Sequence, residues 1–176
     1  MIYQEWYLKS KWFSDTSPKN PKPATATLTF TGVVVAAETV TIDEEVYEFV
    51  ADAEDVTEGN IAVVVGETLT ADNAVEKLAD TINTNSEIVT ATFDKEDDVC
   101  VISYKKVGTE GNAIEIATTC TNATFGVDVT KLSGGQFGVP CPEVNTLLKD
   151  DNYYYLCTKE GNESNVEWKR FTLASF

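Results

Sequence analysis

The sequence predicts an α+β fold: a mainly antiparallel β-sheet with one amphipathic helix packed on it, plus a small C-terminal β-meander. Three observations carry this prediction. From Ala24 the apolar residues recur with period two through short runs separated by polar or glycine-containing turns. One segment alone, "TADNAVEKLADTIN", has convincing helical spacing. After the Pro/Gly linker "QFGVPCPEVN", three more short alternating runs close the chain.

Residues 1–23 stand apart as an aromatic arm and linker. "MIYQEWYLKSKWF" holds two tryptophans, two tyrosines and a phenylalanine, and three prolines follow within six residues as a stiff, extended connector. So many aromatics need burial, either on the chain's own body or in a neighbouring subunit.

Residues 24–135 read as the α+β module. In "ATATLTF" Ala26, Leu28 and Phe30 share one face and threonines the other. "TVTIDEEVYEFVA" is a hairpin: Val40 and Ile42 precede a turn at Asp43–Glu45, and Val46, Tyr47 and Phe49 follow. "IAVVVGE" leads to the helix, where Thr70 suits the N-cap and Asp72 the first turn. Ala71, Ala74, Val75, Leu78, Ala79 and Ile82 form its apolar stripe, and Asn83 and Asn85 suit its end. "EIVTATF" and "DVCVISYKK" are joined by the polar turn "DKEDD", and a threonine-rich stretch runs on to "LSGG". Residues 136–176 form the last module, with "TLL", "NYYYLCT" and "VEWKRFTL" as strands and "KEGNES" turning the final pair. Aromatic side chains fall on both faces of that meander. Three strands alone are barely stable, so this module is expected to pack against the body or a partner.

Charge narrows the functional classes. The 176 residues carry 29 acidic and 13 basic side chains, a formal net charge of −16, so nucleic acid and anionic membrane are not expected partners. Residues 38–98 hold 18 acids against Lys77 and Lys95, whereas the first 37 hold two acids and four lysines. That asymmetry suits docking of the basic arm onto an acidic neighbour or another copy's middle. Lysines that merely keep a surface hydrated are the plainer reading. No apolar run is long enough to span a membrane, and the N-terminus lacks the apolar core of a signal peptide. The Asn122 and Asn162 N-x-S/T triplets are then chance matches.

Candidate chemistry is thin. Cys100, Cys120, Cys141 and Cys157 are widely spaced, and the chain has no histidine, so neither a zinc site nor an activated cysteine nucleophile is expected. Cys100 and Cys157 lie in strand patterns, and buried reduced thiols are the expectation, one disulfide being the alternative. "GTEGNAIEI" follows neither the Walker nor the dinucleotide pattern. It runs into a β segment and puts Glu110 where a phosphate wants positive charge, so Gly108 and Gly111 read as turn residues. Asp94–Asp98 lacks the spacing of a calcium loop and reads as a solvated turn. No pair of carboxylates is marked for acid–base work. No enzyme activity, metal or cofactor is expected.

The order of fragments resembles a module common in virion structural proteins of tailed bacteriophages. "ATATLTFTG" followed by "ETVTIDEEVYEFV", the helix "TADNAVEKLADTIN", "VTATF" with "VCVISYK", "GTEGNAIEIATT" and "LSGG" occur in the family's order over roughly residues 24–135. The ending "LLKDDNYYYLCT" and "VEWKRFTLASF" resembles a second phage element, associated with head-decoration and head-fibre proteins. A similar strand and helix plan occurs in flagellar filament-type insertions. The resemblance implies a scaffold without catalytic residues, found in the virion and made in the host bacterial cytoplasm. Its expected partners are the major capsid protein or other virion structural proteins, in many copies or as a homo-oligomer. Capsid decoration or head fibre is the first expectation, with a tail, neck or baseplate component and a host-glycan adhesion module as alternatives. The expected interface residues are Tyr3, Trp6, Tyr7, Trp12, Phe13, Tyr153, Tyr155 and Trp168.

Overall fold

A computed structural model describes residues 20–66, 70–141, 143–149 and 153–172. The aromatic residues of the N-terminal arm lie outside this set. The chain forms two compact units, one of residues 23–135 and one joining residues 20–22 to the chain after Gly135. The fold is α+β, mainly antiparallel, with one α-helix among the described residues and a C-terminal three-stranded sheet.

The larger unit contains β1 (Pro23–Phe30), β2 (Thr39–Ile42), β3 (Glu45–Val50), β4 (Ile61–Val64), α1 (Ala71–Asn85), β5 (Val89–Asp94), β6 (Val99–Val107), β7 (Ile116–Thr118) and β8 (Ala123–Thr124). Its strands divide between two four-stranded sheets, ordered β5-β6-β1-β8 and β4-β3-β2-β7. All pairs are antiparallel except β3 with β4. β1 does not pair with β2, because residues 31–38 form a loop that carries the chain from one sheet to the other. Val34 buries there, Ala37 adopts φ +71°, and the Glu38 carboxylate accepts from the Val35 and Thr121 amides at 2.8 and 2.7 Å. The amides hold that carboxyl below its ordinary range, outweighing the opposing effect of burial, the largest single influence.

Alternation sets which side chains meet. Leu28 lies opposite Cys100 and Ala26 opposite Ile102, all buried. Phe30 of one sheet and Phe49 of the other meet edge-to-face at 6.2 Å, joining the two sheets in one core. α1 lies against β5 and β4 and buries Ala74, Val75, Leu78, Ala79 and Ile82, the expected stripe. Full burial stabilises side chains such as Leu78 and Ile82 by about 1.5–3 kcal/mol each. The Thr70 hydroxyl caps the helix, accepting from the Asn73 amide at 3.4 Å.

Of the two asparagines expected at the end of α1, Asn85 is its last residue. Asn83 does not terminate it. Its side-chain amide exchanges two hydrogen bonds, both 2.8 Å, with the backbone N–H and C=O of Ala91 on β5. Ser86 is the C-cap, and its carbonyl accepts from Lys105 Nζ of β6 at 2.7 Å. A basic charge therefore meets the negative helix end although none lies in the last turn.

β3 is buried on both sides. Tyr47 and Phe49 enter the core, and the opposite side carries Glu48, 3% exposed. The segment between β3 and parallel β4 bonds that carboxylate through the Thr57 amide, the Thr57 hydroxyl and Asn60 Nδ2.

The smaller unit holds β9 (Leu147–Lys149), β10 (Tyr153–Lys159) and β11 (Glu167–Thr172), ordered β11-β10-β9 and antiparallel. Cys141 and Cys157 form a disulfide across a Cα separation of 6.5 Å. This corrects the expectation that Cys157 is a reduced apolar residue of a strand. Its partner arrives by backbone pairing that spacing does not reveal: Cys141 and Gly161 exchange N–H···O=C bonds of 3.0 and 2.9 Å. Cys100 and Cys120 are free thiols buried in the larger unit.

Candidate functional site

The smaller unit is the candidate surface, built from the two faces of its sheet. On β10 Tyr155 and Cys157 point inward, and Trp168 joins them from β11. Trp168 satisfies its indole N–H by donating to the Val139 carbonyl at 2.8 Å. Tyr153 packs against this core with its ring edge-to-face to Tyr155 at 6.2 Å, and the Arg170 guanidinium lies 4.3 Å from the Tyr153 ring centre. The other face carries Tyr154, Leu156 and Phe171. Tyr154 and Phe171 are register partners, 36% and 50% exposed. An antiparallel sheet with one solvated face normally puts polar residues there, so the exposed Tyr154 and Phe171 make this face the candidate contact surface.

Among the described strands β11 ends the sheet, and its outer edge has its own feature. Asn20 Oδ1 accepts from the Trp168 amide at 2.7 Å, and Asn20 Nδ2 donates to the Trp168 carbonyl at 3.2 Å. One side-chain amide thus imitates a neighbouring strand. Beside it lies an open groove of about 510 Å³, lined by Asn20, Pro21, Lys159, Glu167 and Trp168 among others. Lys159 and Glu167 approach to 3.6 Å across it, both well exposed.

The sequence-derived candidates are distributed unevenly over this geometry. Tyr3, Trp6, Tyr7, Trp12 and Phe13 lie outside the described residues. Tyr155 and Trp168 are interior, at 4% and 6% exposure, because their strand positions face the unit's own core. Tyr153 is half-buried. The outward residues Tyr154, Leu156 and Phe171 were not among the candidates. Alternation showed that aromatics fall on both faces without saying which face turns outward.

The glycine-bearing stretch near residue 110 is a short 3-10 turn, Glu110–Ala113, leading into β7. A Cβ on Gly111 would stand 2.7 Å from the Tyr104 Cβ and Cγ, so the ring of β6 requires glycine there. Asn112 repeats the side-chain bridge, giving 3.0 Å and accepting 2.9 Å bonds with the carbonyl and amide of Gly135. The acidic stretch ending at Asp98 forms the β5–β6 turn, and Asp98 adopts φ +52°. Burial, with a hydrogen bond and charge repulsion from Asp72, raises the Asp98 carboxyl above its ordinary range, and its Oδ1 is buried without a partner. Among the described residues no three Cys, Asp or Glu side chains group closely enough to hold a metal ion.

No protein-family model matches the chain, and no curated protein matches it.

Proposed function

We propose that this chain is a non-enzymatic structural component of a bacteriophage virion, with capsid decoration or head fibre as the preferred role. The observation that carries the reading is the partition of charge. Residues 23–135 contain 21 acidic and five basic side chains, whereas the rest of the chain contains eight of each. The whole net charge of −16 therefore resides in the larger unit. Acidic bodies displayed at high density repel one another and stay hydrated, while a neutral element can approach a protein shell without that penalty. The apolar outer face around Tyr154 and Phe171 gives the neutral element something to bury. Many weak attachments on one particle add through avidity. The ordered resemblance to phage structural modules supports the same role, and a tail or baseplate position would make the same physical demands.

The test is incorporation into particles from a culture infected with a phage encoding the chain. Quantitative mass spectrometry should find many copies in purified particles. A Tyr154→Ser/Phe171→Ser variant should be retained roughly tenfold less well, the effect of losing about 1.4 kcal/mol of attachment. Absence of the chain from purified particles would overturn the proposal.

A further inference from the structure

We propose that closure of the Cys141–Cys157 bond is the modification that locks the smaller unit into its fold, through exchange with a small disulfide of the glutathione class. This rests on the two units and their cores, independently of the virion reading. Among its described residues the smaller unit buries Cys141, Leu148, Tyr155, Cys157, Val166 and Trp168, so the bonded pair makes up two of the six buried there. A three-stranded sheet is marginal without a staple. The larger unit has its own extensive core and no disulfide.

The placement of the four cysteines directs the exchange. Cys100 and Cys120 are buried in the larger unit. Burial pushes the Cys100 thiol up to about 12 and raises that of Cys120, so both are held as unreactive thiols. Cys141 and Cys157 are the pair able to meet. One of their thiolates attacks the glutathione disulfide, forming a mixed disulfide and releasing one glutathione thiolate. The second protein thiolate attacks the mixed disulfide and releases the other. The protein loses two electrons and two protons, and one glutathione disulfide becomes two reduced glutathiones. The finished bond is shielded, with Cys141 and Cys157 at 1% and 0% exposure. Reductant therefore reaches it only when the unit opens. A reducing compartment keeps the unit open, and transfer to an oxidising medium closes it.

Hydrogen exchange read by mass spectrometry on the full chain tests this. The chain is equilibrated in buffers poised with reduced or oxidised glutathione. In the reduced buffer the amides of β10 and β11 should exchange about 100-fold faster, as loss of a loop-closing bond implies, with β1 and β6 unchanged. A Cys141→Ser/Cys157→Ser variant should show the fast exchange without reductant. Equal protection of β10 and β11 in both buffers would overturn the proposal. So would peptide mapping that finds Cys100 or Cys120 in the oxidised bond.

Discussion

Asn60 donates from Nδ2 to the Glu48 carboxylate at 2.7 Å, tying the far end of the β3–β4 connection to a β3 residue twelve positions earlier. The Thr57 amide and hydroxyl add bonds of 3.1 Å each, so a carboxylate that is 3% exposed has three donors. β3 and β4 are the one parallel pair among the described strands, and a parallel pair needs a connection that leaves and returns. Glu48 holds that connection down.

Glu48→Gln keeps the shape but turns an amide N–H toward donors. It should cost about 1–3 kcal/mol, measured by denaturant titration. The Asn60 bond, then those from Thr57, hold the Glu48 carboxyl below its ordinary range against the effect of burial. Its contribution is therefore complete above the unfolded-state value, about 4.3. It is lost as pH falls through the lower folded-state value. The variant should show a shallower acid limb in Tm against pH; an unchanged limb would remove Glu48 from this role.

Asp98 should behave in the opposite sense. Its raised folded-state pKa means that its penalty is fully present above that pKa and relieved as pH falls. Asp98→Asn removes the repulsion from Asp72, and asparagine tolerates the φ of +52°. The variant should have a higher Tm than the parent at pH 7, with the gap closing toward pH 3.

Asn83→Ala removes both bonds that tie α1 to the Ala91 backbone. Each is worth about 0.5–1.5 kcal/mol, and the orphaned β5 groups add to the loss. The expected destabilisation is about 1–3 kcal/mol, with faster hydrogen exchange at the Ala91 amide. Asn83→Asp should not rescue it, because a carboxylate cannot donate to the Ala91 carbonyl.

Gly111→Ala would press a methyl group against Tyr104. Overpacking of this kind costs about 1–3 kcal/mol. Gly134→Ala supplies the contrast, since a Cβ there meets nothing within 4 Å and only its φ of +79° opposes it. Thermal melts of both should separate steric crowding from backbone strain.

Much of the larger unit was legible because its signals are local. Period-two runs placed β1, β2, β3, β5 and β6, and the stripe from Ala74 to Ile82 placed the buried face of α1. The Thr70 cap and the Gly111 turn likewise depend on near neighbours in the chain. Less of the candidate surface was legible. Tyr155 and Trp168 looked like contact residues because large aromatics favour interfaces, yet they form the smaller unit's own core. Tyr154 and Phe171 face outward instead, a choice that alternation alone leaves open.

The sequence by itself determined the elements, the turns and the charge, since each follows from the preferences of a few adjacent residues. Only the tertiary structure decided which strands share a sheet, which cysteines bond and where Asn20, Asn83 and Asn112 spend their amides. Those outcomes depend on groups brought together across the chain, such as Cys141 with Gly161 and Asn20 with Trp168. No local periodicity records which distant backbone a side chain will meet.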